Sequence, residues 1–366
     1  MPQPLVDLII ATHNPERPIS RSVGSVLRHT SAAVRVTVVC HNTDPAGIAA
    51  RLTEFSSDER LRILELSDGV PSPSEPFNFG LDAATARFTS IMGSDDELES
   101  GAIDSWLGVA DRDSADVVIT RLMLASGRVV PTPPVRGRRE SRLDPIRDRL
   151  SYRSAPLGLV SRERFAALRL TPGMRSGGDL AYVTQLWFSG ARISFDREGP
   201  AYVVHDDAND RVTLRARAVA EDLAWLTPLL TSEWAQSRPP HERTAIAVKF
   251  VRRHLFGAAD NRTDPATRSA SDRTDFRDAA RLLADYAPQL RHVLSIAEDD
   301  LLAGMLSEDM ALDQLILLAI ARRSFPRPRS ALPRNILKIA ATEAPFPLAL
   351  AHRRVLLSGQ RPRQLR

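Results

Sequence analysis

Apolar residues in the first half of the chain fall in short runs separated by stretches with helical spacing. Residues 5–11 are apolar except for Asp7, and 12–15 is Thr-His-Asn-Pro. A strand followed by a turn is predicted. Ile19, Val23, Val26 and Leu27 then recur at the intervals of one helix face over 17–27. The β-branched run 34–40 predicts a second strand. Thr43-Asp44-Pro45 predicts a helix to about 55, with Asp44 as cap and proline at the first helical position. Strands are further expected at 61–66, 88–92, 116–124, 191–195 and 201–204. Helices are expected at 77–87, 100–110, 161–168 and 179–189, with a Pro/Ser-rich loop over 67–76. This alternation predicts a parallel, three-layer α/β sheet, whose ligands bind beyond the carboxyl ends of the strands. Thr12–Asn14, His41–Asp44 and Asp95–Asp96 all fall there.

Two stretches break the pattern. Residues 131–153 hold Pro, Gly and seven arginines with little periodicity, the mark of an excursion or mobile loop. After 211 strand signals vanish, and helical periodicity covers 212–230, 245–256, 276–296 and 311–323. The expected division is an α/β domain over 1–211, a helical domain over 212–324, and a Pro/Arg-rich basic tail over 325–366 with a last helix near 336–341.

Composition sets limits on chemistry. The apolar fraction of 43% and charged fraction of 26% are those of a soluble globular chain. Cys40 is the only cysteine, which rules out an intrachain disulfide and a cysteine-based zinc site and fits a reducing compartment. With neither a signal peptide nor an apolar run of about 20 residues, the expected location is cytoplasmic, or peripheral at the inner face of the membrane. The net charge of +4 is uneven: residues 321–366 carry eleven Arg/Lys against Glu343, leaving −6 on the rest. Such a tail either contacts an anionic surface or serves solubility. Its arginines are not interleaved with aromatics, so no nucleic-acid partner is expected.

The acids at 95–97 follow the strand at 88–92, where carboxylates can hold a divalent cation against a diphosphate. The same residues also suit the start of a helix. Four other segments accompany them: Leu8 to Asn14, Val38 to Asp44, Asn78-Phe79-Gly80-Leu81, and Ser176-Gly177-Gly178-Asp179-Leu180. In this order, over roughly 6–205, they resemble the family 2 glycosyltransferases, which have the GT-A fold and use nucleoside-diphosphate sugars.

The resemblance implies a GT-A domain with a C-terminal all-helical appendage. It places Thr12, His13 and Asn14 at the nucleotide, His41 and Asn42 at its base, and Asn78 and Ser94 on the diphosphate side. Asp95 becomes the first metal ligand, Asp96 the next and His205 an added one, for Mn²⁺ or Mg²⁺. Asp179 becomes the general base that takes the proton of the acceptor hydroxyl in an inverting transfer. The implied donor is a UDP-sugar ahead of GDP- or dTDP-sugars. The acceptor is a glycan, glycolipid or protein hydroxyl, as in cell-envelope glycan, polysaccharide or glycolipid synthesis, with membrane contact through the basic C-terminus. His13 stands where the family often has tyrosine, and Gly93 and Gly178 stand where it has acids.

Plainer readings remain for single residues. Asn14-Pro15 is a good turn, Asp44 and Asp179 are good helix caps, and His205 and Arg211 suit a solvated surface. At the level of the whole chain, the alternatives are an inactive sugar-nucleotide-binding or scaffold protein of the same fold, and a nucleotidyltransferase. The second would need a Gly-rich loop after the first strand, and 12–18 has no glycine.

Overall fold

The computed structural model describes residues 3–137, 139–207, 217–324 and 326–359. The strands are β1 (Val6–Thr12), β2 (Val34–His41), β3 (Leu61–Leu66), β4 (Phe88–Gly93), β5 (Glu97–Leu98), β6 (Val117–Thr120), β7 (Leu122–Leu124), β8 (Val129–Val130), β9 (Gly158–Ser161), β10 (Ile193–Asp196) and β11 (Tyr202–Val204). Seven form the central sheet in the order β10-β6-β9-β4-β1-β2-β3. Its pairings are parallel except those of β9, which runs antiparallel to both β4 and β6. A second sheet, β5-β11-β7-β8, lies beside it.

The first half confirms the GT-A type of layered α/β fold, with helices α1 (Ile19–Leu27), α2 (Pro45–Arg51), α3 (Ser74–Asp82), α4 (Ala102–Asp113) and α5 (Asp179–Trp187). β1 shows why the sheet must be covered on both sides. Val6, Leu8 and Ile10 point into one core with Val23, Val26 and Trp106, while Ile9 points into the other with Val39 and Leu81. Each such buried side chain contributes about 1.5–3 kcal/mol. Asp7, fully buried on the same strand, is held by the Arg35 guanidinium (2.6 and 2.8 Å) and by the backbone amides of Thr85 and Ala86 (2.7 and 2.8 Å).

Four sequence expectations need correction. The sheet is mixed, because residues 158–161 form the antiparallel β9. Residues 162–167 are turns rather than part of a helix, being too few to nucleate one. The strand expected over 116–124 divides at Arg121 into β6 and β7, which serve different sheets. The helix expected over 77–87 runs from Ser74 to Asp82, since Pro76 is tolerated in a first turn where no helical bond is lost.

The excursion 131–153 carries buried Val135, Leu143, Leu150, Tyr152 and Arg153. Beyond it lie α6 (Val219–Asp222), α7 (Leu226–Leu230), α8 (Glu233–Gln236), α9 (Pro240–Phe250), α10 (Phe256–Asp260), α11 (Asp272–Tyr286), α12 (Ile296–Leu306), α13 (Leu312–Arg322), α14 (Pro328–Ala331) and α15 (Pro345–Gly359). A π-helical turn, Val251–Leu255, joins α9 to α10. The last helix is thus later and longer than expected, and only a 3₁₀ turn covers Ile336–Lys338. Trp225, Phe250 and Phe256 share one continuous core with Leu180, Val183 and Trp187 of α5, so the helices and the α/β unit are packed together. Arg211 and the expected boundary beside it lie outside the described residues. Among the described residues, no helix is long and apolar enough to cross a membrane.

Candidate active site

The carboxyl ends of β1, β2, β3 and β4 open on one edge of the sheet, and most of the expected residues gather there. After β1, the Thr12 hydroxyl donates to the Asn14 carbonyl (3.2 Å) and Asn14 Oδ1 accepts the Glu16 amide (2.9 Å), which fixes the turn and leaves His13 exposed. After β2, the buried His41 ring nitrogen Nε2 lies 2.9 Å from Asp68 Oδ1, and Asn42 donates to the same oxygen at 3.2 Å. Asp68 follows β3. The Val70 amide, then His41 and Asn42, hold its carboxyl below the usual range. Its signal in the sequence was only the turn pair Asp68-Gly69. Asp44, by contrast, caps α2 through the Ala46 amide (2.9 Å).

At the end of β4, Ser94, Asp95 and Asp96 are all buried. Asp96 is tied down: its Oδ2 accepts the Tyr202 hydroxyl at 2.6 Å and its Oδ1 the His205 amide at 3.1 Å. The Tyr202 oxygen in turn accepts the Gly93 amide at 2.9 Å. The His205 ring meets Glu97 at 3.2 Å. Gly93 is no gap, since a Cβ there would stand 2.6 Å from Asp96 Oδ2 and 3.1 Å from Asp95 Oδ1. Asp95 faces a cation instead: Arg17 Nη1 lies 3.4 Å from Asp95 Oδ1 and 3.4 Å from Ser94 Oγ. Arg21, one turn on, bonds the Asp95 carbonyl and grips Asp207 with two nitrogens. Neither arginine was singled out in the sequence, because nothing in its spacing tied the turn after β1 and the first turn of α1 to the acids some 75 residues later.

Among the described residues, no three His, Cys, Asp or Glu side chains gather into a ready-made metal cage. The donor set still suits Mn²⁺ or Mg²⁺. Magnesium commonly takes one or two carboxylates and completes its shell with substrate phosphates and water. Asp95 provides such a carboxylate, and the guanidinium beside it shows that a positive charge is accommodated at that oxygen.

Asp179 stands in a second cluster, on the first residue of α5. Gly178, not Asp179, is the cap residue of α5, so the plain cap reading does not describe it. Burial pushes the Asp179 carboxyl up to about 6, with Lys249 drawing it down. Lys249, on α9, is 1% exposed, and among the described residues its Nζ finds no hydrogen-bond partner. Burial lowers it to about 7, against the pull of Asp179. The loop before α5 is clamped from both sides. Trp225 sits against Gly177, whose φ of +73° favours glycine, and Trp225 packs on His254 and Phe250 at 5.0 and 4.7 Å. A Cβ on Gly178 would collide with the buried Ser74 hydroxyl of α3.

Asn78 works in the same clamp: its amide donates to the Leu170 carbonyl and accepts the Leu170 amide, both at 2.9 Å. Gly80 lets α3 close on β1, where a Cβ would strike Ile9. A cavity of about 330 Å³ opens beside this loop, lined by Gly173, Met174, Arg175, Ser176, Glu221 and Ala224.

Residues 7–167 match the family model described as glycosyl transferase family 2. No curated protein matches the sequence. Among solved structures, the fold is similar to residues 1–349 of S. aureus TarS in complex with UDP-GlcNAc. The TM-score is 0.71 and the identity 15%, over 87% of this chain and 91% of that one. The same fragment in complex with UDP gives 0.67 and 15% over the same shares. S. aureus TarS without the truncation gives 0.66 and 16%, over 87% of this chain and 55% of that one.

Proposed function

We propose that this chain, whose residues 7–167 form a family 2 glycosyltransferase domain, moves a sugar from a nucleoside-diphosphate sugar to an acceptor hydroxyl with inversion. The observation that carries the reading is the division of labour between two acids. Asp95 lies beside a cation at the end of β4, while Asp179 stands on the first residue of α5 with its carboxyl raised towards neutrality. A carboxylate held beside a cation suits a charge-binding role, and one whose proton affinity is raised by burial suits a proton-accepting role.

His41, Asn42 and Asp68 offer a polar edge for the nucleotide base, and Thr12 to Asn14 for the ribose. The similarity to TarS, whose complexes hold UDP-GlcNAc and UDP, supports a UDP-sugar as donor ahead of GDP- or dTDP-sugars. Mn²⁺ or Mg²⁺ bound by Asp95, with His205 and Asp96 nearby, would stabilise the charge that develops on the leaving diphosphate. The acceptor oxygen bonds to the anomeric carbon as the bond to the phosphate oxygen breaks, and its proton passes to the Asp179 carboxylate. A base with a pKa of about 6 is ionised at neutral pH yet basic enough to assist.

The cavity beside Gly173 to Ser176 is where the acceptor enters. Its hydroxyl belongs to a glycan, glycolipid or protein. A basic C-terminus with exposed apolar side chains on α15 supports work at an anionic membrane surface on the cytoplasmic side.

The test is a thermal-shift series with UDP-, GDP- and dTDP-sugars, with and without Mn²⁺, followed by donor hydrolysis by wild type, Asp95→Ala and Asp179→Asn. A UDP-sugar should raise Tm most, and both variants should lose turnover while Asp179→Asn keeps donor binding. If no nucleotide sugar raises Tm and none is turned over, the reading falls.

A further inference from the structure

We infer that Arg252, in the π-helical turn, is a positioning residue for the acceptor side of the site, held in place by the segment 342–344 that leads into α15. The inference rests on the reading in which Asp179 is the base.

That segment is fastened by buried side chains from two regions. The Arg149 guanidinium, from the excursion, donates to the Thr342 carbonyl at 2.7 and 3.0 Å, and Arg252 Nη1 donates to the Glu343 carbonyl at 2.7 Å. Tyr152 joins the two, donating its hydroxyl to Glu343 Oε2 at 3.0 Å and accepting from Arg252 Nη1 at 3.2 Å. His352 of α15 meets the Tyr152 ring edge-on, with centroids 6.3 Å apart. Glu298 of α12 takes the remaining nitrogens of Arg252, at 2.8 and 2.9 Å. Arg149, Tyr152, Arg252 and Glu343 are all buried, where hydrogen bonds are stronger than in water.

The same turn reaches the loop before α5. Phe250 and His254, two residues to either side of Arg252, pack against Trp225 at 4.7 and 5.0 Å. Trp225 in turn closes on Gly177, where a Cβ would stand 2.4 Å from its Cδ1, and Asp179 is two residues further on. Lys249 belongs to this stretch as well, its Nζ 4.9 Å from the Phe250 ring. Contacts therefore run from Glu343 through Arg252 and Trp225 to the loop that presents Asp179, and none of the donor-side residues at the ends of β1, β2 and β4 is among them. π-Helical turns are rare and are frequent at functional sites. Here one such turn serves both the C-terminal segment and the base, so that releasing the segment loosens the base and leaves the donor in place.

The test is amide hydrogen exchange of the full chain, together with steady-state hydrolysis of UDP-GlcNAc, in wild type, Arg252→Met and the milder Tyr152→Phe. In both variants exchange should quicken at least about threefold over 249–256 and also over 173–180, with β1 and β2 unchanged. Donor KM should stay as in wild type, while kcat falls about tenfold in Arg252→Met and about threefold in Tyr152→Phe. Should Arg252→Met not fold, Tyr152→Phe carries the test.

Faster exchange confined to 249–256 and the C-terminal segment, with kcat as in wild type, would make Arg252 a structural tie only and overturn its positioning role while Asp179 as base stands. If wild type hydrolyses no nucleotide sugar, or Asp179→Asn hydrolyses one as fast as wild type, the reading of Asp179 fails and this inference with it.

Discussion

The Asp179 carboxylate and the Lys249 ammonium are opposite charges that act on each other from two parts of the fold, one opening α5 of the α/β unit, the other on α9 of the helical region. Burial disfavours both charges, and each favours the other's. Arg253 also bears on Lys249, and His254, held well below its ordinary value by burial, Lys249 and Arg253, packs on Trp225 of the same cluster. The helical region thus helps set the proton affinity of the candidate base.

A pH profile follows from that pairing. As a base Asp179 must be ionised, so kcat/KM should fall about tenfold per pH unit below about 6. Lys249→Met removes the charge that favours the carboxylate, so the acidic limb should move to higher pH. Lys249→Arg should largely keep it in place, and Asp179→Asn should abolish the limb along with most turnover. A Lys249→Met limb that stays put, with only the acceptor KM raised, would make Lys249 an acceptor contact instead.

Restoring the family acids should fail. Gly178→Glu drives its Cβ into Ser74 Oγ, and Gly93→Asp sets a third carboxylate against Asp95 and Asp96. Each should lower stability by about 1–3 kcal/mol through overpacking, and Gly93→Asp by more where like charges meet. Denaturant midpoints together with donor turnover check this. A gain in activity at unchanged stability would show that the glycines are losses rather than fitted parts.

Tyr202→Phe tests the other half of the corner. The lost hydroxyl removes the bond that the Gly93 amide donates and the one that a buried Asp96 oxygen accepts. The expected cost is about 1–3 kcal/mol of stability. Asp96 should also loosen against His205, raising the donor KM more than it lowers kcat, as steady-state kinetics at saturating acceptor would read.

Away from the site, Asp7 locks β1 to Arg35 and to the turn before β4. Burial opposes its charge, but the Arg35 guanidinium and the Ala86 and Thr85 amides outweigh burial and hold the carboxyl below its ordinary range. The stability it contributes is therefore present above the unfolded value of about 4 and is lost as pH falls through the folded value. Asp7→Ala should cost about 3–5 kcal/mol at pH 7, and the difference from wild type should shrink in acid unfolding curves.

These residues also show what the chain made legible and what it hid. The strand–turn–helix rhythm around Asn14, His41 and Asp95 was visible because buried parallel strands are written as continuous apolar runs between polar turns. Asp179 was visible as an acid opening a helix, but that Gly178 takes the cap position in its place was not, because that depends on the backbone of Gly178. Arg17, Asp68, Tyr202 and Lys249 were hidden for a common reason. Each earns its place through a contact 27 to 109 residues away, or through burial by a separate region, and local periodicity carries no trace of such partners. The antiparallel β9 was hidden likewise, since four residues between β6 and β4 do not declare a direction.

The outer face of α15 is the last test. Phe346, Leu350, Arg353 and Leu357 follow at intervals of four, three and four, which puts them on one face, and all are exposed, Phe346 and Leu357 by 59% and 57%. Ala351 and Val355 on the opposite side are buried, so the helix is docked and turns apolar and basic groups outward. Arg354 flanks the same face, and Leu337 of the 3₁₀ turn before it is 88% exposed. An anionic lipid surface matches both properties, since apolar side chains enter the headgroup boundary while arginines meet phosphates at about 1 kcal/mol each. The full chain should co-sediment with phosphatidylglycerol vesicles at low salt, and much less with phosphatidylcholine or at 0.5 M salt. The double change Arg353→Ser, Arg354→Ser should weaken binding about tenfold or more, and Phe346→Ser with Leu357→Ser should weaken it without removing its salt dependence. Vesicle binding that survives both pairs of changes would place the lipid contact elsewhere. A chain that ignores vesicles but dimerises through this face in equilibrium sedimentation would replace the membrane with a second copy.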